Sequence, residues 1–128
     1  MSQEYYDILV AEDDEQISYL LNFLLTREGF TVKVANDGQE AMDAIGQISQ
    51  PKLVLLDIMM PHYNGYQIID HIRHNSNWKK VPILVVTAKS LEKDIVKALE
   101  IGANDYVVKP FQPRELIGRL KALLQRAA

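Results

Sequence analysis

The chain contains no cysteine, which excludes disulfide staples and thiolate metal sites and agrees with a cytoplasmic address. It has no apolar run of roughly 18 residues and no charged-then-apolar leader, so neither a membrane span nor a signal peptide is expected. An excess of positive charge is missing too: 14 Lys and Arg stand against 17 Asp and Glu, for a formal net charge of −3. That balance offers nucleic acid no general attraction, so no nucleic acid is expected to bind through this segment. There is no internal repeat, low-complexity tract or linker, and 128 residues read as one domain, 1–128.

Short apolar runs alternate with longer periodic ones. The runs are YDILVA (6–11), TVKVA (31–35), LVLLD (53–57), VPILVVT (81–87) and DYVVK (105–109). Between them lie stripes at helical spacing: Ile17, Leu20, Leu21 and Leu24 before Gly29; Ala41, Ile45 and Ile48 before Pro51; Ile68, Ile69 and Ile72; Leu91, Ile95, Ala98 and Leu99 before Gly102; and Leu116, Leu120, Leu123 and Leu124. Five strands alternating with five helices indicate an α/β domain with a parallel sheet. LVLL and ILVV are apolar throughout, as central strands buried on both faces should be, whereas TVKVA alternates like an edge strand.

Ligands of open parallel sheets sit beyond the carboxyl ends of the strands. The first run there delivers Glu12, Asp13 and Asp14, the third Asp57, the fourth Thr87 and the fifth Lys109 followed by Pro110. Asp57 ends a greasy run, and the sequence places it at the end of its strand rather than within the buried part. Two like charges about 4 Å apart at an effective dielectric of ~20 repel by roughly 4 kcal/mol, so Glu12, Asp13 and Asp57 together call for a cation. Oxygen-only ligands favour Mg²⁺ (or Mn²⁺) over zinc. Lys109 supplies a fixed positive charge for a phosphoryl oxygen, Thr87 a hydroxyl, and Asp57 a nucleophilic carboxylate able to form an acyl phosphate. Asp14 is suited to cap the helix that starts there. His62, His71 and His74 read as solvated side chains.

The set Glu12-Asp13, Asp57, Thr87-Ala88 and Lys109-Pro110-Phe111 resembles the receiver (CheY-like) domain of bacterial two-component response regulators, and the likeness covers essentially the whole chain. It implies a doubly wound (βα)5 fold with strand order 2-1-3-4-5. It implies Asp57 as phosphoacceptor, Asp13 as direct Mg²⁺ ligand, Glu12 acting largely through water, and the Met59 backbone carbonyl as a third protein ligand. Thr87 and Tyr106 take the family's switch positions, and Lys109–Pro110 the position of a cis bond. Met59 and Lys89 occupy positions that tune hydrolysis. The partner implied is a sensor histidine kinase or phosphotransfer protein.

Haloacid-dehalogenase-type phosphatases also use a strand-end aspartate with Mg²⁺, but they need a second aspartate two positions on, where this chain has Met59. A Rossmann-type nucleotide site would need a glycine-rich turn where AEDDEQ stands. No turnover of an external substrate is therefore expected. The domain is expected to be the N-terminal part of a longer regulator, because PRELIGRLKALLQRAA ends without a Gly or Pro stop. The surface of the fourth helix, fifth strand and fifth helix also resembles that of winged-helix transcription factors, which implies a homodimer on phosphorylation. Asp105 and Arg119 match an intersubunit ion pair there, and Val96 with Leu99 an apolar patch. Ile95 and Asn104 depart from that pattern, since a basic residue facing Glu115 and an acid are usual at those positions. The alternative is a stand-alone regulator acting by docking.

Overall fold

The computed structural model describes residues 3–127, so Met1, Ser2 and Ala128 of the expected domain lie outside the described residues. Five strands, β1 (Ile8–Ala11), β2 (Val32–Ala35), β3 (Leu53–Leu56), β4 (Ile83–Thr87) and β5 (Asp105–Val108), form one parallel sheet in the order 2-1-3-4-5. The helices between and after them are α1 (Glu15–Arg27), α2 (Gly38–Gln47), α3 (Gly65–Arg73), α4 (Glu92–Ile101) and α5 (Pro113–Ala127).

Successive residues of a strand point to opposite faces, and here the alternation divides the core in two. Leu9, Ala11, Val54, Leu56, Ile83 and Val85 pack with Ala41, Ile45, Ile68, Ile72 and Ala98 of α2, α3 and α4. Ile8, Val10, Leu53, Leu55, Leu84 and Val86 pack with Leu21 and Leu25 of α1 and Leu116, Leu120 and Leu123 of α5. The central strands need apolar residues at every position because both faces are covered, which is the pattern LVLL and ILVV show. β2 is an edge and, apart from Ala35, only half-buried. β4 starts at Ile83, not at Val81, since Pro82 has no N–H to give to the ladder.

Helix ends follow from local chemistry. Asp14 caps α1 by accepting from the N–H groups of Gln16 and Ile17, as its position before the stripe suggests. Asn64 and Gln67 form a reciprocal capping box at α3. Two expectations about stripes change. Ile48 is not in α2 but caps its end. In α4 only Ala98 is buried, while Val96, Leu99 and the N-cap residue Leu91 are exposed; the stripe that reads as core-facing lies largely on the surface.

Candidate functional site

The register of the sheet assembles the site. Ala11 of β1 lies level with Ala35 and Leu56, and Leu56 with Val85. Beyond that line each of the two ladders of β1 runs on for one more bond: the Glu12 N–H donates to the Ala35 carbonyl and the Asp57 N–H to the Ala11 carbonyl, both at 3.0 Å. Glu12 and Asp57 therefore leave adjacent strands side by side. Lys109 is fixed opposite them by its N–H on the Thr87 carbonyl at 2.8 Å, and its peptide bond to Pro110 is cis.

Contrary to the expectation that the strand end lifts Asp57 out of the buried region, the residue is only 5% exposed. It tolerates burial because it is paired. Oδ2 accepts from the Lys109 ammonium at 2.8 Å, and Oδ1 accepts from the Met59 N–H at 2.9 Å. Lys109 also donates to Glu12 Oε1, and Glu12 Oε2 accepts from the Asp14 N–H at 3.2 Å. One ammonium thus serves two buried carboxylates, with Asp13 exposed beside them. Burial pushes the Glu12 carboxyl up to about 7, and the negative Asp57 adds to the rise, against the opposing pull of Lys109 and of the Asp14 N–H. Burial of the Lys109 ammonium would lower its pKa, but its bonds to Asp57 and Glu12 outweigh that and hold it above the ordinary lysine value.

Carboxylate oxygens of Glu12, Asp13 and Asp57 lie within 4.8 Å of one another, the one group of this kind among the described residues. Three carboxylates against one ammonium leave the edge short of positive charge, and the donors are all oxygen. The residues present therefore fit a hard divalent cation such as Mg²⁺. The shallow hollow over this edge is bordered by Asp13, Met59, Asn64, Tyr66, Lys89 and Lys97. The Met59 side chain lies on its exposed rim while Met60 is buried.

Thr87 is fully buried at the end of β4, and its hydroxyl accepts only a long bond, 3.5 Å, from the Lys89 N–H. Tyr106 is half-buried and its hydroxyl donates to the Lys89 carbonyl at 2.8 Å. Burial first, then the neighbouring Tyr66 phenol and the Asp94 and Asp57 carboxylates, push that phenol up to about 12. The loop after β4 is thus held from both sides, by the weakly engaged Thr87 and by Tyr106. Of the residues read as a dimer face, Val96 and Leu99 are exposed, and Asp105 is paired within its own chain to Arg119 at 3.2 Å. Among the histidines, His62 lies 3.9 Å from Asp37 and His74 3.4 Å from Asp70, and no histidine belongs to the carboxyl cluster.

Three supports of the site had no sequence signal assigned to them. The Met59 N–H steadies Asp57, and the Lys89 carbonyl receives Tyr106; both are backbone groups, which every residue has. Gly65 is the third: a Cβ there would stand 2.6 Å from the Asp57 carbonyl oxygen and 2.7 Å from Ile58 Cα, so α3 can start against the strand end only with glycine at that place. The Asn64-Gly65 pair carries the signal that could have revealed it.

The response regulator receiver domain model matches residues 8–121. The chain belongs to this family. The receiver is 46% identical over 121 residues to the transcriptional regulatory protein CpxR homolog of Haemophilus influenzae, covering 94% of this chain and 51% of that protein. It is 44% identical over 119 residues to the DNA-binding response regulator MtrA of Mycolicibacterium smegmatis, covering 93% and 50%. The chain thus spans about half the length of these relatives. Among solved structures, the receiver domain of a Pseudomonas aeruginosa sensor histidine kinase, with a magnesium ion coordinated in its active-site cleft, superposes with a TM-score of 0.84 at 30% identity, covering 98% of this chain and 99% of that one. A response regulator described as such from Chloroflexus aurantiacus gives 0.87 at 32% identity, covering 95% and 99%. No helix among the described residues is long and apolar enough to cross a membrane.

Proposed function

We propose that this receiver is a phosphorylation-dependent switch in a two-component phosphorelay, with Asp57 as its phosphoacceptor. The observation that carries the reading is a buried aspartate held by Lys109 beside two further carboxylates at the carboxyl edge of the sheet. Glu12, Asp13 and Asp57, with the Met59 backbone carbonyl, would hold Mg²⁺. When bound, the cation neutralises these carboxylates and the phosphoryl oxygens that face them.

A sensor histidine kinase or phosphotransfer protein presents a phosphohistidine. An Asp57 carboxylate oxygen attacks phosphorus in line; the P–O bond forms as the P–N bond breaks, and the imidazole nitrogen leaves with the electron pair. Lys109 stays beside the site as a fixed counter-charge for the phosphoryl oxygens. A carboxylate oxygen attacks without losing a proton, so this step requires no base. The new dianion then draws the Thr87 hydroxyl, which is weakly engaged in the resting arrangement. Movement of Thr87 carries the Lys89 segment with it, loosens the hold of its carbonyl on Tyr106, and shifts the population of α4-β5-α5 surfaces.

The output in this reading is a DNA-binding domain elsewhere in a longer cytoplasmic regulator, in keeping with relatives named for DNA binding. The domain 1–128 modifies itself and turns over no external substrate. Val96 and Leu99 supply the apolar part of a homodimer face, and the Asp105–Arg119 pair opens to exchange partners between copies.

The test is incubation with acetyl phosphate or phosphoramidate, with and without Mg²⁺, followed by intact mass. A Mg²⁺-dependent, hydroxylamine-labile adduct that is missing from Asp57→Asn supports the proposal. A persistent adduct in that variant, or none in the parent, overturns it.

A further inference from the structure

The pole of the sheet opposite Asp57 carries a hollow that the phosphoryl chemistry does not use. It measures about 520 Å³ and lies where β3 and β4 begin and α5 ends. Its apolar lining includes Phe30, Pro51, Val81, Pro82 and Leu124, and its polar lining consists of the amides of Gln50 and Asn77 and two exposed lysines, Lys52 and Lys80. No acidic residue lines it. Its volume falls in the range of small-molecule sites, roughly 300–1,000 Å³.

Two features make this more than a surface dent. The first is rigidity. Pro51 and Pro82 lead into the two strands with fixed φ angles. The Arg73 guanidinium holds the Lys79 carbonyl at 3.0 Å and the Val81 carbonyl at 2.7 Å, so the segment carrying Lys80 is pinned from beneath. The second is unspent charge. Lys80 makes no ion pair among the described residues. Lys52 reaches Asp7 only at 3.7 Å. That carboxylate already accepts from the Thr31 N–H at 2.8 Å and the Tyr5 hydroxyl at 3.2 Å. Lys52 can therefore turn to a ligand without leaving Asp7 unbonded.

We propose that this hollow binds a small apolar carboxylate, an aryl or medium-chain alkyl acid. Its hydrocarbon body would lie on Phe30, Val81 and Leu124, and its carboxylate between Lys52 and Lys80. The apolar wall selects against hydrophilic anions, and the lysines select against neutral hydrocarbons. The inference stands independently of the phosphoryl chemistry at the other pole.

The experiment is an amide NMR titration of the isotopically labelled chain with naphthoate, using neutral naphthylmethanol as control. Saturable shifts confined to the amides of residues 30, 50, 52, 77–81 and 124–127 are expected. A Lys52→Gln, Lys80→Gln double variant, checked for an unchanged amide spectrum elsewhere, should bind about tenfold more weakly, the size of two exposed ion pairs. Equal binding of naphthylmethanol, unchanged affinity of the double variant, or shifts centred on the exposed aromatics Tyr19 and Phe23 of α1 would each overturn the assignment. So would the absence of saturable shifts. Binding of an acidic peptide without binding of naphthoate would give the hollow to a protein partner instead and equally overturn it.

Discussion

The metal-free acidic edge should cost the receiver stability, and Asp13→Asn isolates that cost. Asp13 is exposed and its carboxylate lies within 4.8 Å of carboxylate oxygens of both Glu12 and Asp57. At that distance and an effective dielectric of about 40, between partly buried protein and water, each repulsion is worth roughly 1.7 kcal/mol. The Lys109 ammonium, bonded to both of the other carboxylates, offsets about one of the two repulsions. At a pH well above the Glu12 value of about 7, where both neighbours are charged, the variant should therefore be more stable than the parent by roughly 1–2 kcal/mol in EDTA at low salt, and by less as salt screens the cluster or as Glu12 takes up its proton. At about 2.1 cal/mol/K of unfolding entropy per residue, that corresponds to a rise in Tm of roughly 4–7 °C for a chain of this length. Calorimetry in EDTA at two salt concentrations, followed by a Mg²⁺ titration, reads both halves of the expectation. Mg²⁺ should raise the Tm of the parent by mass action and leave the variant nearly unmoved. A variant less stable than the parent in EDTA, or one that gains as much from Mg²⁺, would refute the electrostatic reasoning.

Asp7 gives a pH signature. Burial alone would raise its pKa, but the Thr31 N–H, the Tyr5 hydroxyl and Lys52 together hold it below the ordinary carboxylate value. A depressed carboxyl stabilises the fold above its unfolded pKa, near 4, and that stability drains away as pH falls through the lower folded value. Asp7→Asn should thus lose about 1 kcal/mol in urea melts at pH 7 and almost nothing near pH 2, and an equal loss at both would contradict the sign. Gly65→Ala should cost about 2–3 kcal/mol, because its Cβ meets the Asp57 carbonyl and Ile58 Cα rather than a movable side-chain tip. The same change should displace the Asp57 amide resonance, and an unaltered spectrum would show that α3 has room to spare. Tyr106→Phe removes the bond to the Lys89 carbonyl and should cost about 1 kcal/mol or less by urea denaturation while increasing exchange of the residue 88–91 amides, and a loop as protected as in the parent would argue against that tether.

Much of this architecture is legible from periodicity, because burial on both faces of a central strand admits only apolar residues and the edge strand β2 relaxes that demand. The candidate site was legible for a different reason: strand ends in an open parallel sheet are neighbours, so Glu12, Asp57, Thr87 and Lys109 could be brought together without knowing a single distance. What the pattern could not convey was partnership. Asp57 reads as a residue that must escape burial, yet it is buried, since the ammonium that makes this tolerable comes from a position 52 residues later. The stripe of α4 misleads in the opposite sense. Helical spacing shows that Leu91 and Leu99 share a face, but it cannot say whether the sheet covers that face, and here Ala98 alone is buried. The Arg73 clamp on the Lys79, Val81 and Gly102 carbonyls leaves no trace in the sequence, because its acceptors are main-chain oxygens.

The most direct measurement of the central claim is chemical trapping of the phosphorylated receiver. After reaction with phosphoramidate and Mg²⁺, borohydride reduction converts an aspartyl phosphate to homoserine, and peptide mass mapping locates the product. Homoserine at position 57, formed only with Mg²⁺ and at no other carboxylate, is the expected result. Homoserine at Asp13 or at another acidic residue, with Asp57 recovered intact, would contradict the assignment of the buried, Lys109-paired carboxylate as the phosphoacceptor.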